Sequence, residues 1–136
     1  MTTAYTYRAG SANTRQVEVT IDCRVVSLER FVGVQIYEAM PGFYLGAGDG
    51  LTLTEPQREW LLYGLEEVSE DFFETTDRYD VVVEITRLDD DADHPAASAF
   101  AVAGWVARAY GLDYTPPNPA YDAEQNRLVY KFDGPM

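Results

Sequence analysis

The chain has 136 residues, 46% of them apolar, with a mean hydropathy of −0.26; this suits one folded domain with a real core and excludes a disordered or fibrous chain. Its 23 acids against 10 bases leave a net charge of −13, which repels phosphate backbones and disfavours direct nucleic-acid binding. The single Cys23 excludes an internal disulfide and a zinc site built on cysteines, and no apolar run reaches the length of a membrane span.

The first fifteen residues, MTTAYTYRAGSANTR, are polar and lack the apolar core of a signal peptide, so a cytoplasmic location is expected. They read as a loose leader with an edge strand at residues 4–8. Val17, Val19, Ile21, Cys23 and Val25 then alternate with Glu18, Thr20, Asp22 and Arg24, the pattern of a half-buried strand. Cys23 falls on its apolar side and reads as a small buried hydrophobe, not a nucleophile. A short link leads to a second strand at residues 31–37, with Val32, Val34 and Ile36 in phase, and the two form an expected antiparallel hairpin.

Residues 40–50, MPGFYLGAGDG, read as an irregular loop that is mobile or touches a partner. The glycines Gly46, Gly48 and Gly50 resemble a phosphate loop in spacing. However, Leu51, Thr52 and Leu53 separate them from the next helix, and no Lys follows in the required place. Thr54 and Gln57 predict a capping box with Pro56 in the first turn, and a helix to about Ser69. Leu61, Leu65, Val68 and Phe72 form its apolar face, Glu59, Glu66, Glu67 and Glu70 the other, and Trp60 and Tyr63 flank the stripe. A turn at residues 74–80 leads into a strand at 79–88, whose Val82 makes it apolar on both faces, as an inner strand should be.

Residues 95–110, PAASAFAVAGWVARAY, carry no charge up to Ala107 and predict a helix buried on nearly every side. Asp93 is the expected cap, Pro95 lies in the first turn and Gly111 is the left-handed stop. Gly104 implies a close approach to a sheet, and a self-associating face is the other use of so many small residues. Residues 112–126, with three prolines, read as an extended loop, and 127–132 as an edge or closing strand. The order β-β-α-β-α-β predicts a single α+β domain over residues 1–136, a two-layer sandwich of mostly antiparallel sheet with two helices on one face.

Charge is concentrated. From Glu66 to Asp93 there are twelve acids and two bases, Arg78 and Arg87, a net of −10. A field of that sign attracts basic proteins, although a solvated or salt-adapted surface would share the composition. The expected partner-binding residues are Glu66, Glu67, Glu70, Asp71, Glu74 and Asp77. Metal-type ligands crowd only at Asp89, Asp91, Asp93 and His94, the aspartates offering hard oxygens and His94 being the sole histidine, without the spacing of a calcium loop; acids before a helix also complement its positive end. Glu84 with Glu18 or Asp22 is the carboxylate pair expected across a sheet face for acid–base chemistry. Ser98 shares a helix side with His94 but lies in an alanine-rich segment. No catalytic residue and no cofactor is assigned.

Residues 56–112 resemble the helix–strand–helix portion of domain IV of elongation factor G. The likeness rests on the length of the first helix, the strand DVVVEITRL, the acid-rich turn DDDADH with its one histidine, and the small-residue helix SAFAVAGWVARAYGL. It implies a two-layer fold with a left-handed crossover between strands, and a stand-alone relative of a translation-factor domain. Three readings of function therefore stand: a non-enzymatic acidic protein that binds a basic protein surface (inhibitor, immunity-type or nucleic-acid mimic), a translation-factor-like domain, and a small metal-dependent hydrolase. The first is preferred, as a monomer or homodimer.

Overall fold

The structure is a computed structural model that describes residues 4–10, 17–116, 120–122 and 127–129, the last two segments by their backbone pairing. Its elements in chain order are β1 (Tyr5–Ala9), β2 (Val17–Ser27), β3 (Ile36–Met40), β4 (Phe43–Ala47), α1 (Glu55–Thr76), β5 (Val81–Asp89), α2 (Ala97–Tyr110), β6 (Ala120–Asp122) and β7 (Arg127–Val129). The first five strands form one sheet in the order β1-β2-β5-β4-β3, antiparallel except for the parallel pair β4/β5. Both helices lie on one face: α2 packs on β1 and β2, and α1 on β3 and β4. The α+β two-layer architecture is as expected; the strand order inside it is not.

β2 and β3 are not a hairpin. β2 runs on to Ser27 and pairs β1 on one side and β5 on the other, while β3 pairs β4. The turn that makes the β3/β4 hairpin is Met40-Pro41-Gly42-Phe43. Pro41 presets its own φ, and Gly42 has φ 89°, the value demanded of the third residue of a type II turn. The stretch expected to be an irregular loop thus contains a strand next to the centre of the sheet. Phe43, Leu45 and Ala47 point from β4 into the core, and Tyr44 and Gly46 point to the opposite face beside Val82 and Glu84.

At Gly46 a side chain would collide with the Phe31 ring and Val82, so the glycine lets the chain before β3 fold across the outer face of the sheet. This reverses the phase expected for residues 31–37. Tyr37 packs against the core and Phe31 lies over Gly46 on the outer face, while Val32 and Val34 are exposed at 87% and 95%. Each ring covers more apolar area than a valine in its place would, one on either face of the sheet.

α1 begins with the expected capping box: the Gln57 amide donates to Thr54 Oγ1 at 3.3 Å and the Thr54 amide to Gln57 Oε1 at 2.8 Å. It does not stop near Ser69 but continues to Thr76, because Phe72 and Phe73 extend its buried stripe. Phe72 stacks on Phe43 at 4.8 Å between centroids and meets Tyr110 of α2 edge-on at 5.1 Å, joining the sheet and both helices. Asp77 ends the helix in the left-handed conformation, φ 51°.

In α2 every residue from Ala97 to Ala107 is buried. Gly104 makes room for the Tyr5 ring of β1, the expected approach to the sheet, and the helices also pack closely at Gly64 of α1, where a methyl would overlap the Ala99 carbonyl. The small-residue face is therefore covered by this chain's own elements and is no self-associating surface. Asp93 does not cap the helix. The cap position is Ala96, without a side-chain bond, and successive tight turns feed the helix instead, His94 donating to Asp91 and Ala97 to His94, both at 3.0 Å.

β1 is the edge strand expected at residues 4–8, so the leader is not loose there; residues 1–3 and 11–16 lie outside the described residues. β6 and β7 pair with each other in a sheet of their own and do not join the main one. The remainder of the closing strand, residues 130–132, lies outside the described residues.

Candidate acidic interaction face

The sequence of α1 separates its two faces. Leu61, Leu65, Val68 and Phe72 hold the helix to the core, which leaves Glu66, Glu67, Glu70, Asp71 and Glu74 on the opposite side, all exposed, with Asp77 exposed at the cap. At 100° per residue the five helical acids fall within an arc of about 140°. Among the described residues none of the six makes an ion pair, and the last turn of α1 carries no base. Acids at that end oppose the helix dipole, and the i,i+4 pairs Glu66–Glu70, Glu67–Asp71 and Glu70–Glu74 repel. The rim is aromatic. Tyr114 sits half-buried near Glu67, and burial first, then the Glu67 charge, pushes its hydroxyl well above the ordinary tyrosine value.

The other expected sites come apart. Asp89 is held by Arg87 at 2.6 and 2.8 Å, Asp90 accepts from Gln57 Nε2 at 3.0 Å, and Asp91 Oδ1 accepts the Asp93 amide at 2.9 Å. Only Asp91 and His94 stay together, Oδ2 lying 3.4 Å from Nδ1, too poorly placed for a hydrogen bond. Among the described residues no three His, Cys, Asp or Glu side chains converge, so Asp89, Asp91, Asp93 and His94 do not form the ligand set their spacing suggested. Asp89, Asp90 and Asp91 each answer a nearby donor instead, as adjacent acids in a turn commonly do.

Glu84 is buried at 4% exposure but is not half of a carboxylate pair. It faces Arg24 across the β2/β5 ladder, with Nη2 at 2.7 Å and Nε at 2.9 Å from Oε2, while Glu18 pairs with Arg8 at 3.0 Å on the next strand. A carboxylate so clamped serves as a structural partner for arginine, and sequence alternation could not supply its cross-strand neighbour. Cys23 is buried, and burial, with Asp22 adding to it, pushes its thiol well above the usual value, as expected for an inert cysteine. Ser98 and His94 are both buried, and neither side chain has a hydrogen-bond partner among the described residues. Gly46 and Gly48 carry no phosphate-cradle geometry: Gly48 donates its amide to the Ile85 carbonyl at 2.9 Å and packs beside Glu84.

No protein-family model, curated protein or solved structure matches this chain.

Proposed function

We propose that the chain is a non-enzymatic interaction protein that uses the outer face of α1 to bind a basic protein surface, as an inhibitor, an immunity-type protein or a nucleic-acid mimic does. The observation that supports it is the exposed acidic stripe Glu66, Glu67, Glu70, Asp71, Glu74 and Asp77, which makes no ion pair among the described residues and whose i,i+4 neighbours repel. A feature that costs the fold something and finds no partner among the described residues is more economically explained by an external one.

The spacing favours the mimic. At 1.5 Å per residue the five helical acids span about 12 Å, or one charge per about 3 Å of axis, close to the ~3.4 Å of one DNA strand. Basic partners built for a phosphate backbone would meet a similar line of charge. Electrostatic steering then speeds encounter and makes it salt-sensitive.

The test compares the wild type with a Glu66→Gln, Glu67→Gln, Glu70→Gln, Asp71→Asn variant as bait in a lysate of the source organism, at low and moderate salt. The expected result is a basic protein retained by the wild type alone, with an association rate that falls at least tenfold on neutralisation or on salt addition. A partner whose on-rate and salt dependence are the same for both baits would sink the proposal. The same lysate separates the translation-factor reading, which the order α1-β5-α2 favours: that reading requires the chain to cosediment with ribosomes at moderate salt.

A further inference from the structure

β2 ends at Ser27, opposite Val81 at the start of β5, and the 3-10 turn Leu28–Arg30 follows it. The Leu28 amide donates to the Asp80 carbonyl at 2.7 Å, which ties that turn to the residues entering β5. Here lies an open cleft of about 400 Å³, lined by Ser27, Leu28, Glu29, Tyr79 and Asp80. Its volume falls in the range of small-ligand sites, about 300–1,000 Å³.

Tyr79 is the rigid wall of the cleft. Its ring stacks on Phe73 at 4.8 Å between centroids and 19° between planes, and it lies beside Gly42, where a methyl would come within 3.6 Å of Cδ1. Phe73 covers one face of the ring, yet Tyr79 is 60% exposed, so much of its π surface stays open. Glu29 and Asp80 are exposed as well, and neither carboxylate has a hydrogen bond or ion pair among the described residues. No described base lines the cleft: Arg78 reaches Tyr110 Oη at 3.5 Å, and Arg30 lies outside the lining.

We propose that this cleft binds a guanidinium group, supplied by an arginine of the basic protein partner; the source of the arginine rests on the function proposed above. A guanidinium is planar, stacks on a tyrosine face and offers a fork of donors to carboxylates, a combination that a lysine ammonium lacks. An open aromatic wall with two unpaired carboxylates answers both properties, and the same carboxylates repel an anionic ligand. The surroundings add to the attraction. Tyr79 and Asp80 follow the C-terminal end of α1, where the last carbonyls carry partial negative charge and the last turn holds no base. Asp77, the final acid of the stripe, precedes Asp80 by three positions, so their Cα atoms are at most about 11 Å apart. A partner lying along the stripe can therefore place one long side chain in the cleft, and arginine is among the residues that most often anchor an interface.

The experiment titrates the full chain with Nα-acetyl-arginine amide at constant ionic strength and follows the backbone amide NMR signals. The citrulline analogue, which keeps the shape and loses the charge, is the control. Saturable shifts are expected at Leu28, Glu29, Tyr79 and Asp80 with a Kd in the millimolar range, and none with citrulline. Glu29→Gln combined with Asp80→Asn, which keeps a residue tolerant of φ 55°, should weaken binding about fivefold or more. Tyr79→Leu should weaken it similarly, and Tyr79→Phe, which keeps the ring, should stay within about twofold of wild type. Tyr79→Leu also ends the stack on Phe73, so the carboxylate variant, which removes no packed ring, decides the case if Tyr79→Leu fails to fold. Shifts confined to the stripe from Glu66 to Glu74, equal binding of citrulline, no saturation, or indifference to the carboxylate variant overturns the proposal. The probe needs no partner, so the two readings fail separately. A lysate that yields no basic protein sinks the interaction reading while the probe still judges the cleft; a captured partner with a cleft that ignores the probe sinks this inference alone.

Discussion

At the scale of single residues, burial decides chemistry. Cys23 and Glu84 carry reactive groups, yet one is a small hydrophobe under the sheet and the other a clamp for Arg24. Tyr5 and Tyr114 hold their protons above the ordinary value of 10.0, burial being the first cause in each. An unfolded tyrosine ionises near 10, so above that pH the unfolded chain has lost protons that the folded chain keeps. The stability these groups contribute is complete below pH about 10 and falls as pH rises toward the folded values. The melting temperature is therefore expected to drop between pH about 9 and about 11, and to drop less steeply in Tyr114→Phe. Equal slopes for the two proteins would show that Tyr114 does not carry the effect. Cys23 was legible in the sequence because period-two alternation names its face; the clamp on Glu84 was not, because Arg24 is sixty positions away and meets it only through the β2/β5 register.

At the scale of elements, α1 holds a conflict between fold and charge. Its capping box and apolar stripe follow the rules for a stable helix, and its C-terminal half breaks them with repelling acids and no base. The variant with Glu66, Glu67, Glu70 and Asp71 neutralised should accordingly melt about 2–4 °C higher than wild type while losing its partner. A lower melting temperature would mean that the acids support the fold. The helix's start was readable, since Thr54 and Gln57 are three residues apart and satisfy each other locally. Its end was misplaced by two turns, because Phe72 and Phe73 are kept helical by Phe43 and Tyr79, partners no local pattern names. The β3/β4 hairpin carried a local mark in Pro41-Gly42, which outranks the glycine count of the loop that follows it.

At the scale of the molecule, charge and architecture are laid out on different surfaces. Acids gather on the outer face of α1, paired charges such as Arg8–Glu18 and Arg24–Glu84 line the outer face of β1, β2 and β5, and the exposed Val32 and Val34 lie in the irregular stretch before β3. With an excess of thirteen acids, self-repulsion opposes compaction, and salt screens it over a Debye length that shrinks from about 30 Å at 0.01 M to about 8 Å at 0.15 M. The melting temperature is expected to rise across that range. A fall would show that the surface ion pairs outweigh the repulsion.

Composition and periodicity by themselves determined that the fold is α+β, that α2 is its buried helix, that β2 has one wet face, and that negative charge collects after residue 66. Each of these depends on neighbours within a few positions along the chain, where propensity and side-chain period act. Only the tertiary structure decided that β4 lies inside the sheet, that β3 is an edge with Val32 and Val34 outward, and that the acids before α2 are divided among separate donors. Those outcomes depend on which distant segments meet for burial and hydrogen bonds, as Phe31 finds its place only where Gly46 of β4 lies beneath its ring.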